Sequence, residues 1–145
     1  MISNERWRNN WLAISPPGAV RVDLKRGGAN HQALERRIRN LQPGTPVVVC
    51  ASPPRAIRRC RRFASGAAIE LEHEYLAFPS AATPAYLVED HAAPVRVFVS
   101  TVLAAPPRMK FSLPIAAGLG LLRVFKPWRV LRTIAPGRVV VGRRT

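Results

Sequence analysis

Three groups of side chains in this sequence are of types that could do chemistry. Glu89-Asp90-His91 sets two carboxylates beside an imidazole, the residue types that move a proton or hold a polar ligand. The trio falls at a loop-to-helix junction, where ligand groups often sit. Asp90 and His91 are therefore the candidate catalytic pair, and Asp90 has an ordinary alternative role as a helix cap. His73 stands among Glu70, Glu72 and Glu74. Strand alternation would put the glutamates on one face and His73 on the other, so a satisfied, partly buried histidine is expected there rather than a metal or acid–base site.

The third group is basic. Arg55, Arg58, Arg59, Arg61 and Arg62 crowd one short stretch. On a helix Arg58 and Arg62 stack at i, i+4, with Arg55 and Arg59 in a parallel row, and guanidinium forks match phosphate oxygens. Arg55, Arg58, Arg59 and Arg62 are the candidate polyanion-binding residues. The competing reading is a solvated helix face, docked on the acidic 70–90 segment. No aromatic ladder accompanies these arginines, so a platform for stacked single-strand bases is not suggested.

Other chemistries lack their residues. Cys50 and Cys60 are too few for a disulfide framework and lack zinc-knuckle spacing; both sit in apolar patterns, where cysteine behaves as a small hydrophobe. Ser80, between Pro79 and two alanines, has no Gly-x-Ser-x-Gly elbow that would make a triad with His91 and Asp90. There is no Walker loop and no His-Glu-x-x-His pattern. No metal is expected.

The elements that would position these groups come from periodicity and turn chemistry. Val20 to Leu24 alternates as a half-buried strand does. Asn30 can cap a helix from His31 to Leu41, with Leu34, Ile38 and Leu41 forming its apolar stripe. Pro43-Gly44 stops it, and Pro46 to Cys50 is a β-branched run suited to a strand buried on both faces. Ser52-Pro53 reads as a helix start, with the helix reaching about Ser65 and Gly66 as a left-handed stop. Ile69 to Tyr75 alternates as a strand with one acidic, wet face, and 76–84 is a loop. Ala85 to Val88 is a short strand, followed by a helix opened by Asp90 or His91 and packed through Val95, Phe98, Val99, Val102 and Leu103. Then come a possible short helix near 115–125, a basic amphipathic stretch at Trp128–Ile134, and a closing strand at Val139–Val141. This order suggests a small α/β domain with a mainly parallel sheet, antiparallel at one edge, and right-handed crossovers. The expected division is an α/β domain over 1–107 and a basic amphipathic C-terminal extension over 108–145, packing on or beside it.

The stretch Leu41-Gln-Pro-Gly44, Val47-Val-Val49, the helix ending Phe63-Ala-Ser-Gly66 and Ile69-Glu-Leu-Glu72 resembles the second half of a class I S-adenosylmethionine-dependent methyltransferase, a Rossmann-like fold. In that family a helix ends in a Leu-x-Pro-Gly turn feeding a buried strand, and a second helix leads through a glycine into antiparallel edge strands. The likeness covers a little over a third of the chain and implies S-adenosylmethionine as cofactor. The family's glycine-rich cofactor loop has no counterpart here: Gly18 follows two prolines, Gly27-Gly28 follows a basic pair, and neither has the right spacing. No cofactor-binding residue is carried over. The resemblance thus implies a methyltransferase-like domain that is degenerate or dependent on a partner, with ligands at the loops after the strands, near 50–55, 78–84 and 89–92.

Length and charge frame the alternatives. At 145 residues one domain with a real core is expected. Lys and Arg number 23 against 8 Asp and Glu, a net charge of +15, which points toward nucleic acid, an anionic membrane surface or acidic partners. The excess lies in residues 1–66 and 108–145, and the segment between is acidic. Arginine-rich GC-biased coding would raise the charge without such a partner. A non-enzymatic basic module binding nucleic acid or an anionic membrane surface is the second reading; a structural subunit of a larger complex, or a homo-oligomer, is the third. The longest apolar run, 111–122, is interrupted by Pro114, Gly118 and Gly120 and is short of the ~20 residues a spanning helix needs. No signal peptide is recognised at the start. The expected setting is cytoplasmic, with attachment to a membrane periphery an open alternative.

Overall fold

The computed structural model describes residues 10–24, 30–101 and 127–145. The elements in order are α1 (residues 10–14), β1 (Val20–Leu24), α2 (His31–Arg39), β2 (Pro46–Ala51), α3 (Ala56–Gly66), β3 (Ile69–Phe78), β4 (Tyr86–Glu89), α4 (Ala92–Thr101), α5 (Pro127–Ile134) and β5 (Gly137–Arg144). The sheet order is β1-β2-β5-β3-β4. The chain divides into two compact units, Met1–Leu87 with Ala135–Thr145, and Val88–Ile134.

In the first unit β1 and β2 are parallel, from Val20 opposite Val47 to Leu24 opposite Ala51. β5 is antiparallel to β2 and also to β3. The sheet is therefore mixed, with an antiparallel strand, β5, inside it, where a mainly parallel sheet was expected. The reason is topological. The connection through α3 sets β2 and β3 in the same direction with a gap between them, and β5 fills it. Its Val139-Val140-Val141 run suits that place, because Val140 joins the core on one face of the sheet while Val139 and Val141 join the core on the other. β2 divides in the same way: Val47, Val49 and Ala51 face one core, Val48 and Cys50 the other. A strand wetted on neither face is what an unbroken β-branched run makes. Fully burying each of these valines contributes about 1.5 kcal/mol or more.

The helical core packs Ile38 of α2 and Ala56, Cys60, Phe63 and Ala64 of α3 against the sheet. On the opposite face Trp11 of α1 and Ala81 of the loop after β3 cover Val48, Cys50, Ala77, Val139 and Val141. The Asn10 amide donates to the carbonyl oxygens of Pro84 (3.2 Å) and Ala85 (2.5 Å), tying α1 to that loop.

Local expectations change in four places. α2 ends at Arg39, and the turn beyond it uses Gly44 at φ 84°. α3 starts at Ala56, not at Ser52-Pro53, and has no side-chain cap. The residue before a proline is pushed out of the helical region, so Pro53 cannot enter the helix ahead of Pro54, and Arg55 makes the entry with φ 56°. Both Pro53-Pro54 and Phe78-Pro79 are cis. At the other end the left-handed residue is Ala68, φ 53°, and not Gly66. Gly66 remains helical, and the Glu35 carboxylate of α2 stands where its Cβ would be, 2.7 Å from that position.

The fourth change is in β3. The strand runs on to Phe78, through residues expected in a loop, and its register shifts between Leu71 and His73. A bulge of this kind inserts one residue and reverses the alternation. Ile69 and Leu71 lie with the helical core, and after the bulge Glu74, opposite Val140, returns to that face. His73 and Tyr75 share the other face, with ring centroids 6.1 Å apart. The three glutamates therefore do not form one acidic face, and His73 is exposed. A Cβ on Gly142, opposite Leu71, would fall 2.1 Å from the Glu70 carbonyl oxygen, so the bulge needs a glycine across from it.

In the second unit α4 packs against α5, with Val95, Phe98, Val99 and Leu131 buried. The boundary expected at 107/108, the continuation of the α4 stripe through Val102 and Leu103, and the helix near 115–125 lie outside the described residues. Residues 137–144 of the expected C-terminal extension belong to the sheet unit.

Candidate functional site

Parallel neighbours in an α/β sheet open a crevice at their carboxyl ends, because the chain leaves each strand there for a helix. β1 and β2 do this. A cleft of about 450 Å³ is lined by Asp23 and Leu24 at the end of β1, by Cys50, Ala51 and Ser52 at the end of β2, and by Ala81 and Ala82 of the loop after β3. Its size is in the range that holds a small organic ligand. The walls are mainly apolar, with the Asp23 carboxylate and the Ser52 hydroxyl as side-chain polar groups.

Each wall has an identifiable support. Asp23 Oδ1 accepts from Arg21 Nε at 3.2 Å and Nη2 at 3.1 Å, and the Arg21 guanidinium lies 4.2 Å over the Trp11 ring. Arg59 of α3 donates to the Leu24 carbonyl oxygen and, at 3.1 Å, to that of Ser52. One side chain thus holds together the chain ends leaving β1 and β2. Ala81 is fixed by its contact with Gly137, where a Cβ would meet the Ala81 backbone nitrogen at 2.4 Å. Thr83 donates its backbone N–H to the Ser80 hydroxyl at 3.1 Å, so Ser80 closes a turn.

Cys50 is held protonated. Burial is the larger cause of its raised pKa, and the neighbouring Asp23 charge adds to it. The Cys60 thiol, on the other face of β2, is pushed up to about 12 by burial. Neither is placed for thiolate chemistry. The cleft offers recognition: a carboxylate that accepts from hydroxyl or amino groups, and a small apolar surface beside it.

The candidate catalytic pair lies in the other unit. The Asp90 carboxylate, 3% exposed, accepts from Trp128 Nε1 at 2.8 Å and pairs with Arg132 at 3.1 Å. It fastens α5 to the segment before α4. His91 is 72% exposed, with Nε2 3.8 Å from a Glu89 oxygen. Loops 50–55 and 78–84 contribute residues to the cleft; 89–92 belongs to the second unit.

The arginines of α3 divide by role. Arg59 braces the cleft, and Arg61 pairs with Glu74 of β3 at 2.7 Å. Arg143 of β5 pairs similarly with Glu72 at 2.8 Å. Arg55, Arg58 and Arg62 are exposed. Sequence reasoning did not single out Asp23, Ser52 or Arg59 as members of one site. The available signal was an acidic residue at the end of an alternating strand beside a Gly-Gly break, which marks a strand end and not its neighbour.

Among the described residues no group of three His, Cys, Asp or Glu side chains could hold a metal ion, and no helix is long and apolar enough to cross a membrane. Comparison of the chain with protein-family models, with curated proteins and with solved structures found no match.

Proposed function

We propose that this chain is a methyltransferase-like α/β domain that depends on a partner, and that its cleft receives the nucleoside portion of S-adenosylmethionine. The observation that carries the reading is the cleft at the carboxyl ends of the parallel strands β1 and β2, with Asp23 at its rim. A carboxylate at such a strand end accepts hydrogen bonds from sugar hydroxyls, and Leu24, Ala51, Ala81 and Ala82 provide an apolar wall for a flat ring. The helix–Pro-Gly–strand–helix–Gly–strand sequence of the resembled family runs through α2, β2, α3 and β3, and β2 and Ser52 of that run line the cleft.

Among the described residues no glycine lines the cleft. The family's glycine-rich loop has no recognisable counterpart in the sequence, and on this reading a partner supplies the close backbone approach to the methionine portion. When bound, the cofactor supplies an electrophilic methyl group. This chain's residues bind and orient: Asp23 accepts from the sugar, Arg21 aims the carboxylate, and Arg59 keeps the two strand ends at a fixed separation.

Calorimetric titration of the whole chain with S-adenosylmethionine tests the reading. Weak, saturable binding is expected, lowered roughly tenfold in Asp23→Asn, as loss of a charged acceptor implies. No saturable heat at millimolar ligand, or equal binding by the variant, refutes it.

A further inference from the structure

α2 and α3 form one layer on the sheet. Arg39 of α2 donates to the Gly66 carbonyl oxygen of α3, and the Glu35 carboxylate stands against Gly66. The apolar stripes of both helices point into the sheet core. On α3, Arg58 and Arg62 are spaced i, i+4 and lie exposed opposite the buried Cys60, and Arg55, at the entry to the helix, is exposed as well. Arg58 and Arg62 are about 6 Å apart along the helix axis. On α2, Arg36 and Arg37 are exposed. The side chains of these five arginines make no hydrogen bond or ion pair among the described residues, whereas those of Arg59 and Arg61 do. Acidic side chains are absent from α3, and the one on α2, Glu35, is turned toward Gly66.

We infer that the outer face of the α2–α3 layer docks on the phosphate backbone of a nucleic acid. This does not rest on the cofactor reading. Guanidinium groups carried on two rigid helices match a row of phosphates. An anionic membrane fits less well. A helix that lies in a bilayer interface inserts apolar side chains, and the exposed large apolar residues among those described, Leu12, Tyr86, Val97, Val130 and Ile134, are all on other elements. The sequence-level assignment of Arg59 to this face is replaced by Arg36 and Arg37, because Arg59 is committed to the strand ends.

The test is binding of the full chain to a fluorescent DNA duplex of arbitrary sequence over a series of salt concentrations, in parallel with phosphatidylserine-containing vesicles. Each phosphate neutralised contributes about −0.9 to the slope of log K against log salt. The R58Q/R62Q double variant is expected to bind at least about tenfold more weakly at low salt and to lessen the slope by about two. The control R96Q/R129Q removes the same charge from exposed positions on α4 and α5 and is expected to bind nearly as the parent does. Thermal unfolding of both variants verifies that they are folded. Absence of duplex binding, equal weakening by the two double variants, or tighter binding to vesicles than to duplex overturns the inference.

Discussion

The role given to Arg59 makes the sharpest stability prediction. Its guanidinium, on a half-buried side chain, donates to the carbonyl oxygens of Leu24 and Ser52. Hydrogen bonds from a charged donor contribute about 1.5–3 kcal/mol each when well shielded. Partial exposure lowers this to about 1 kcal/mol apiece, and the strand-end carbonyl of Leu24 left unpaired adds about 1 kcal/mol. Arg59→Ala should therefore cost about 2–3 kcal/mol in all. For a chain of this size that is a fall in Tm of roughly 6–12 °C. Arg58→Ala, one residue away and fully outside these contacts, should change stability by no more than about 0.5 kcal/mol. Arg59→Lys should recover less than half of the loss, because an ammonium group lacks the fork that reaches two carbonyls. Thermal and urea unfolding followed by circular dichroism give the three values. If Arg59→Ala and Arg58→Ala unfold together, the bracing role is refuted and Arg59 rejoins the exposed basic face.

Two further outcomes are expected. Asp90→Ala removes the acceptor of Trp128 and the partner of Arg132 from a buried position; breaking such a pair costs about 3 kcal/mol, and the loss should register as increased solvent quenching of Trp128 fluorescence, while unchanged emission and stability would deny Asp90 its structural role. The two thiols make stability fall in alkali. Their folded pKa values lie above the ordinary thiol value of 9.0, Cys60 at about 12, so the folded state retains protons that the unfolded state releases. That stabilisation is complete below pH 9 and is lost progressively as pH rises toward 12. Unfolding midpoints from pH 8 upward should decline less in a Cys60→Ser variant, and thiol reagents at neutral pH should react with both cysteines only after unfolding.

Much of the secondary structure was legible because its signals are local. The apolar stripe of Leu34 and Ile38, the β-branched run of β2, the spacing of Cys60 and Phe63, and the Val139–Val141 run each declare an element and its buried side within a few residues. The misplaced boundaries are those where a neighbour in space decides. Gly66 reads as a helix stop until the Glu35 carboxylate is seen to occupy its side-chain position. The glutamate alternation of β3 reads as regular until the bulge opposite Gly142 reverses it.

Sequence by itself determined an α/β chain with a strand buried on both faces, a basic excess and a helix crowded with arginine. Periodicity and charge count are properties of the chain alone. Tertiary structure decided that β5 fills the gap between β2 and β3, that Asp23 meets Ser52 and Ala81 in one cleft, and that four chemically equal arginines of α3 divide among bracing, ion pairing and solvent. Alternation says which side of a strand is apolar, but it cannot say which strand lies beside it. An arginine's role depends on a partner such as Leu24 or Glu74, brought near by folding.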